Sequence, residues 1–277
     1  MLISYHLDTP HRNREIMLKA KNHDGIVCCH GITGFSVTRM HIHFYLADDL
    51  LIDTGSARLG KQSAGFFRNN TIRRAALTHV HEDHCGMASW LSRNMNARIY
   101  LDSRDHEEAV VPSRLPFYRK LAWKDRPGFD AEPMPDHLET ERCNLDVIAT
   151  PGHYPHHVVF HEKTKGWIFT GDLYIAPRQM VAFKTENTRD AIASITHLLN
   201  LDWDTLFCAH AGVQANGREK LTAKLDYLES IRSQTKALLA EGIGFEEISR
   251  RLFPKKHFWE VVSQGEWSAY RLVSTAV

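Results

Sequence analysis

Four potential metal ligands stand within six consecutive residues, in the segment THVHEDH at positions 78–84. An apolar run precedes this segment and a helix-like stretch follows it. Alternate residues of an extended chain point to the same side, so His79 and His81 are expected to face one point as a strand ends. Asp83 and His84 follow where the chain must turn, and we expect them to face a second, neighbouring point. Imidazole and carboxylate ligands suit zinc best, with manganese, iron or cobalt as alternatives.

Three further potential ligands follow predicted strands later in the chain: His153, Asp172 and His210. Taken singly, each is better explained as a turn residue or as a histidine packed in a core. In layered α/β folds, however, strand ends are where functional sites assemble. We therefore expect these three side chains to meet the 78–84 segment.

The full set of seven donors is too large for one zinc ion, which takes three or four protein ligands, and suits two ions. We predict one ion held by His79, His81 and His153, a second held by Asp83, His84 and His210, and Asp172 as a bridge between them. Two ions that share a water molecule would supply a bridging hydroxide near neutral pH, because a bound zinc lowers the pKa of water from about 15.7 to roughly 7. Asp83 and Asp172 are the groups predicted to orient this water or to carry its proton.

Strand and helix patterns alternate along the chain, which predicts a layered α/β fold. Antiparallel strands are expected between residues 25 and 53, a helix over 59–73 and an amphipathic helix over 188–200. We predict a hydrolase domain over residues 1–215 and a helical extension over residues 216–277. The extension is expected to have a structural or oligomeric role rather than a catalytic one. Whether it forms a homodimer is a question that the sequence leaves open.

Residues 102–144 form the least regular part of the sequence and contain five prolines among aromatic and basic residues. One interpretation is a pair of surface helices with a long loop. The other is a lid or wall that shapes a substrate pocket, because loops of this length are usually functional. The sequence does not separate the two.

Composition and sequence pattern argue against several classes of protein. The chain has 277 residues and a formal net charge of +1. This small net charge argues against a nucleic-acid partner, although a local basic patch could still bind nucleic acid. No apolar run approaches the length of a membrane span, and residues 1–14 lack the apolar region of a signal peptide. Five cysteines without framework spacing indicate reduced thiols, and we predict a cytoplasmic protein that contacts no membrane.

The motifs THVHEDH, LIDTG, PGH, GD and AH occur in this order over about residues 25–212, and as a set they resemble the metallo-β-lactamase superfamily. The resemblance implies an αβ/βα four-layer sandwich with a two-metal site at the sheet edges, followed here by the helical extension. It also implies that Asp53, in LIDTG, is a buried acid behind the metal ligands.

Within the superfamily, the segment PGHYPHH at 151–157 resembles the PGHTPGH of glyoxalase II-like thioesterases and lactonases, from which Tyr154 and His156 depart. His157 is a candidate partner of the ligands. Tyr174, two residues after Asp172, is a candidate catalytic donor to a developing oxyanion, with plain packing as the equal alternative. The AHAG at 209–212 departs from the CGHEY of glyoxalase II, so a glutathione thioester is not expected.

We predict a metal-dependent hydrolase that binds two zinc ions, with iron or manganese as alternatives, and cleaves a small ester, thioester or lactone. The alternative is an RNA phosphodiester endonuclease, in which basic residues would contact phosphate: Arg114, Arg119, Lys120, Lys255 and Lys256. A third hypothesis is a di-iron redox protein. His81 argues against it, because the di-iron members of the superfamily carry an acidic residue at this position. A non-catalytic relic is disfavoured because no expected ligand is missing.

Overall fold

The computed structural model of the protein describes residues 3–4, 18–34 and 39–277. The prediction that residues 1–14 form no signal peptide therefore lies outside the described residues, apart from Ile3–Ser4.

Eight strands form the first sheet and follow one another in chain order. Their bounds are β1 Ile3–Ser4, β2 Leu18–His23, β3 Ile26–Thr33, β4 Met40–Ala47, β5 Leu50–Ile52, β6 Arg74–Ala76, β7 Arg98–Leu101 and β8 Glu132–Pro133. Strands β1 to β5 pair antiparallel, and Asp24 and Gly25 connect β2 to β3 with φ angles of 49° and 95°, as a type I′ turn requires. From β5 onward the neighbours are parallel. Strands β5 and β6 therefore end at the same edge, which places Asp53 beside the 78–84 segment.

The remaining strands are β9 His137–Glu139, β10 Asn144–Ala149, β11 Val158–Glu162, β12 Trp167–Gly171, β13 Ala182–Phe183, β14 Thr205–Cys208, β15 Gly212–Gln214 and β16 Trp267–Ser268. Six of them form the second sheet, in the order β15-β14-β12-β11-β10-β9, and β13 pairs with β16. The pairing of β12 with β14 is parallel, so both strands end at one edge. Asp172 and His210 follow these two ends.

The α-helices are α1 Gly60–Arg68, α2 Glu82–Cys85, α3 Ala88–Met95, α4 His106–Val110, α5 Phe117–Ala122, α6 Thr188–Leu199, α7 Gly217–Ala240, α8 Phe245–Leu252, α9 Phe258–Val262 and α10 Ala269–Ser274. Helix α1 ends earlier than the predicted residue 73, because Asn70 leaves the helix and donates its side-chain amide to the Phe66 carbonyl. Helix α6 begins where predicted, with the Asn187 side chain accepting a hydrogen bond from the Asp190 amide.

The hydrophobic core is layered as the four-layer αβ/βα architecture requires. One cluster of buried residues lies between the sheets and includes Tyr45, Phe160, Phe169 and Phe207. A second cluster joins the first sheet to α1 and α3, and a third joins the second sheet to α6 and α7. The predicted fold class is therefore confirmed.

The helical extension packs against the second sheet rather than standing apart from it. Leu221, Leu228 and Ile231 of α7 share one hydrophobic cluster with Ile192 and Ile195 of α6. Strand β16 of the extension also pairs with β13 of the preceding part. A boundary between residues 215 and 216 stays a proposal, and the shared core indicates that the two parts fold together.

Two expectations from composition concern the described part of the chain. None of its helices combines the length and the apolar character that a membrane crossing needs. The five cysteines form no disulfide there, and Cys85 directs its thiol to the Val80 carbonyl rather than joining the metal-ligand clusters.

Candidate metal centre

The first predicted group of ligands converges at the end of β6. His79 Nε2 lies 2.9 Å from His81 Nδ1, and His153 Nε2 lies 3.2 Å from the same His81 atom. His79 and His81 lie on the loop directly after β6, whereas His153 lies on the loop after β10. One ligand atom from each residue lies within 4.8 Å of the others, so the three can hold one cation.

The second predicted group lies directly beside the first. His84 Nε2 and His210 Nε2 lie 3.2 Å and 3.1 Å from Asp172 Oδ1, and His210 Nε2 lies 3.4 Å from Asp83 Oδ2. The second oxygen of Asp172 lies 3.4 Å from His153 Nε2 of the first group. Asp172 therefore faces both groups, the position that a bridging ligand needs.

Four of the histidines have a polar partner on the ring nitrogen that faces away from the cluster, a hydrogen bond for His79, His84 and His210 and an ion-pair contact for His153. The partners of the Nδ1 atoms are Thr78 Oγ1 for His79 at 3.1 Å, Asp53 Oδ2 for His84 at 2.7 Å, Glu186 Oε1 for His153 at 3.3 Å and the His41 carbonyl for His210 at 2.6 Å. Such partners fix ring orientation and tautomer in metal sites. The arrangement leaves each Nε2 atom directed into the cluster.

The donor set fits a pair of divalent cations. His84 Nε2 and Asp172 Oδ1 are buried without a hydrogen-bond partner among the described residues, although they lie only 3.2 Å apart. Buried polar atoms of this kind are rare unless an ion or a water satisfies them. Nitrogen ligands at about 2.0–2.1 Å from zinc in tetrahedral geometry lie roughly 3.3 Å from one another, close to the separations seen here.

The electrostatics of the cluster suit cation binding. Burial lowers the pKa of His79 and His81 well below the usual imidazole value, and neighbouring histidines lower it further. Burial acts in the same direction on His84 and His210, but Asp172 raises the pKa of both rings, that of His210 to about 9. Burial alone would raise the pKa of Asp172, yet these two histidines hold it well below the usual carboxyl value.

Asp53 anchors the metal-ligand loop as the motif LIDTG suggested. Its carboxylate accepts hydrogen bonds from the Thr78 amide at 2.8 Å and from the Thr78 hydroxyl, besides its contact with His84. The residue adopts a left-handed φ of 56°, a conformation that aspartate tolerates better than most residues. The strand end thus turns the carboxylate into the interior behind the ligands.

We expect Asp53→Asn to weaken metal binding at the His84 side about 10–100-fold, the range typical of partners behind metal ligands. The amide removes the negative charge and presents an N–H group toward either Thr78 or His84. Competition with a chromophoric chelator measures the affinity. Asp49→Asn is the control, because Asp49 pairs with Arg74 at the opposite end of β5 and should leave metal affinity unchanged. Equal affinities for the two variants would contradict the assignment of Asp53.

The loop that carries His153 is tied to the 102–144 segment by the two residues that depart from the family pattern. The Tyr154 hydroxyl donates to Glu108 at 3.0 Å and lies 3.2 Å from Asp105, while His156 Nδ1 lies 2.6 Å from the same Asp105 carboxylate. Tyr154 also packs against the rings of His79 and His81. Tyr154 and His156 therefore connect the 102–144 segment to the site.

Residues from three segments that are distant in sequence surround the cluster. Arg119 and Trp123, on and directly after α5, line a small cavity over it together with Phe183 and Trp267. The Arg119 guanidinium lies over the rings of Trp123 and Phe183 and pairs with Glu82 at 2.9 Å. Of the two interpretations of residues 102–144, the structure favours a wall of the site.

The two remaining candidate residues, His157 and Tyr174, have different surroundings. His157 is buried, and its Nε2 atom accepts a hydrogen bond from the Asp172 amide at 3.3 Å, so it supports the turn that carries this acid. Tyr174 packs in the hydrophobic cluster of α6 and α7, and it lines neither cavity beside the metal ligands. Its position favours packing over oxyanion binding.

Sequence reasoning missed Glu186 and Trp267. Glu186 contacts His153 but stands in a loop without any ligand pattern, and no local signal pointed to it. Trp267 lies in the extension that was expected to be purely structural or oligomeric. Its role could have been suspected only from the density of aromatic residues near the end of the sequence.

Comparisons with known proteins agree with this geometry. A family model described as the metallo-beta-lactamase superfamily matches residues 47–210. A hydroxyacylglutathione hydrolase, GloC of Haemophilus influenzae, is 30% identical over 155 residues, which cover 52% of this chain and 71% of that protein. The probable metallo-hydrolase YflN of Bacillus subtilis is 25% identical over 254 residues, covering 75% of this chain and 94% of the relative.

Among solved structures, a beta-lactamase domain protein from Burkholderia ambifaria superposes with a TM-score of 0.69 at 16% identity, covering 91% of this chain and 86% of that one. Identity at this level supports the fold alone. The fold, the order of the motifs and the converging ligands all point to the same family of proteins.

Proposed function

Because the chain belongs to the metallo-beta-lactamase superfamily and is a metal-dependent hydrolase, we propose that it uses two divalent cations, zinc first, to cleave a small ester, thioester or lactone. One observation carries the proposal: two groups of buried donors adjoin each other, and Asp172 faces both. His79, His81 and His153 would hold one cation. Asp83, His84 and His210 would hold the other, and iron or manganese could replace zinc.

Two cations bound there would acidify a water molecule and polarise the scissile carbonyl. The chain supplies the surrounding functions. Asp83 and Asp172 have buried carboxylates within the cluster, where they would orient the water or carry its proton. Phe183 and Trp267 exclude bulk solvent from the reacting atoms and contact the apolar part of the substrate.

A small carbonyl substrate agrees with the size and lining of the spaces beside the cluster. The larger of the two cavities there measures 160 Å³ and has several apolar walls, among them Ile175, Met180 and Trp267. Such partly enclosed apolar cavities with a few polar groups are typical of small-molecule sites. Relatives named hydroxyacylglutathione hydrolases support thioester chemistry, whereas residues 209–212 differ from the glyoxalase II pattern.

The nuclease alternative has weaker support from the contacts of its basic residues. Arg119 is already paired with Glu82, and Lys120 lies 2.7 Å from Asp125. Each of these two basic side chains therefore already has a carboxylate partner that would compete with phosphate. A cytoplasmic location and a homodimer formed through the extension stay predictions from the sequence.

The test is a hydrolysis panel of thioesters, lactones, β-lactams and RNA, run with metal-replete and chelated protein. We expect turnover of at least one carbonyl substrate, a loss of roughly 100-fold or more on chelation, and recovery when zinc is restored. Activity that survives chelation would contradict the proposal. Cleavage of RNA alone, with binding that weakens steeply as salt rises, would favour the nuclease.

A further inference from the structure

A buried lysine of the helical extension lines the 160 Å³ cavity beside the metal centre. The cavity opens onto His153 and Asp172, and Lys224 of α7 forms part of its inner wall. Lys224 lies three residues after Leu221 and four before Leu228, so it stands within the apolar stripe of α7 that packs on the second sheet. A lysine at such a position is 5% exposed, which is unusual for this residue.

Within the part of the chain that the structure describes, Lys224 has no close counter-ion. Its ammonium donates a hydrogen bond to the Leu173 carbonyl at 2.8 Å. Among the described residues no carboxylate oxygen lies within 4.0 Å of it. An ammonium has three N–H donors, so further donors remain for a ligand. A buried charge of this kind is costly unless a partner is supplied.

Glu186 lines the same cavity but does not neutralise Lys224 directly. Its carboxylate contacts His153 at 3.3 Å and accepts a hydrogen bond from the Gln179 side chain. Its negative charge lies close enough to raise the pKa of Lys224, against the larger lowering by burial. The same charge repels a dianion such as phosphate more strongly than a singly charged carboxylate.

We propose, building on the proposed hydrolase function, that this cavity binds a carboxylate carried by the substrate on a short apolar arm, with Lys224 as its partner. The cations would hold the scissile carbonyl, while Leu173, Val181 and Trp267 contact the arm. Substrates of this class are esters, thioesters or lactones that bear a second, anionic group. The helical extension thus determines specificity, because it provides both Lys224 and Trp267.

The first experiment compares the mono-4-nitrophenyl ester of glutaric acid with 4-nitrophenyl pentanoate, which has an acyl chain of the same length without the carboxylate. We expect the wild-type protein to favour the charged ester in kcat/KM by at least tenfold, equivalent to about 1.4 kcal/mol. Lys224→Met, which keeps the apolar stem, should abolish this ratio. Lys236→Met is the control, because Lys236 is exposed on the same helix, and it should keep the wild-type ratio.

An ester with the carboxylate on its alcohol side, 4-(pentanoyloxy)benzoate, locates the anion. A preference for this substrate that Lys224→Met abolishes also supports the proposal, with the arm in the leaving group. No preference for either carboxylate ester over its neutral counterpart would overturn it. A preference that survives in Lys224→Met would overturn it as well.

A binding measurement separates this inference from the proposed hydrolysis. Calorimetric titration of metal-free protein with pentanoate and with its uncharged analogue pentanamide needs no turnover. We expect the wild-type protein to bind pentanoate at least tenfold more tightly than pentanamide, and Lys224→Met to remove the difference. Equal affinity of the wild-type protein for the two compounds would overturn the proposal even if the enzyme hydrolyses esters.

Discussion

Replacing Asp172 with asparagine should lower kcat/KM by roughly 10³-fold, beyond the 10–100-fold typical of partners behind metal ligands. Among the described residues, Asp172 is the one acid whose oxygens face both groups of donors, at 3.1–3.4 Å from His210, His84 and His153. Asparagine keeps the shape but removes the charge, and its amide nitrogen cannot bind a cation, so a single oxygen is left to face two groups of donors. The measurement is hydrolysis of the best substrate of the panel, together with elemental analysis of the bound metal.

Asp146→Asn is the matched control for this substitution. Asp146 lies exposed on β10 of the same sheet, where it pairs with His137 at 2.9 Å. Surface ion pairs of this kind contribute little, so its loss should change activity by less than about twofold. An Asp172→Asn protein that kept more than a tenth of wild-type activity and its full metal content would remove Asp172 from the centre.

Gly171→Ala should destabilise the fold by about 3 kcal/mol or more, through strain and overpacking together. Gly171 ends β12 with a left-handed φ of 48°, directly before Asp172. A Cβ atom there would lie 2.7 Å from His157 Nε2 and 2.9 Å from the Thr78 side chain, both of which are buried. We therefore expect a lower midpoint of thermal unfolding, by roughly 6 °C or more at 2–4 °C per kcal/mol.

Gly242→Ala isolates the contribution of the crowded site. Gly242 also has a left-handed φ, of 80°, but a Cβ atom there would meet nothing within 4 Å. Its substitution should cost only the conformational strain, about 1–2 kcal/mol. Thermal unfolding of metal-free proteins compares the two without the stabilisation that bound cations add. If both variants unfold at the same temperature, the close packing of His157 and Thr78 around Gly171 is not needed for stability.

The ligands could be predicted because their signal is local. The first four ligands lie within the consecutive residues 79–84, and a strand followed by a turn fixes where their side chains point. His153, Asp172 and His210 each follow a strand, and the edge of a layered sheet brings strand ends together. The same reasoning found the strands and the amphipathic helices, whose periodicity is carried by neighbouring residues.

The remainder of the site depends on contacts between distant segments. Glu186 contacts His153 only because the loop after β13 packs against the loop after β10, where the Asn187 amide donates to the Gly152 carbonyl, and no sequence pattern near Glu186 predicts this. The departures at Tyr154 and His156 have partners, Asp105 and Glu108, that lie about fifty residues away in sequence. Lys224 did carry a signal, a charge within an apolar stripe, but only the packing of α7 reveals that it reaches the cavity.

The proposed function requires that these side chains hold two cations at adjoining positions. Elemental analysis of zinc-replete protein after removal of free metal measures this stoichiometry in the wild type and in His81→Ala and His210→Ala. We predict two ions per wild-type chain and about one in each variant, since each substitution removes a ligand from a different group. A wild-type protein that binds no zinc, or variants that both retain two ions per chain, would contradict it.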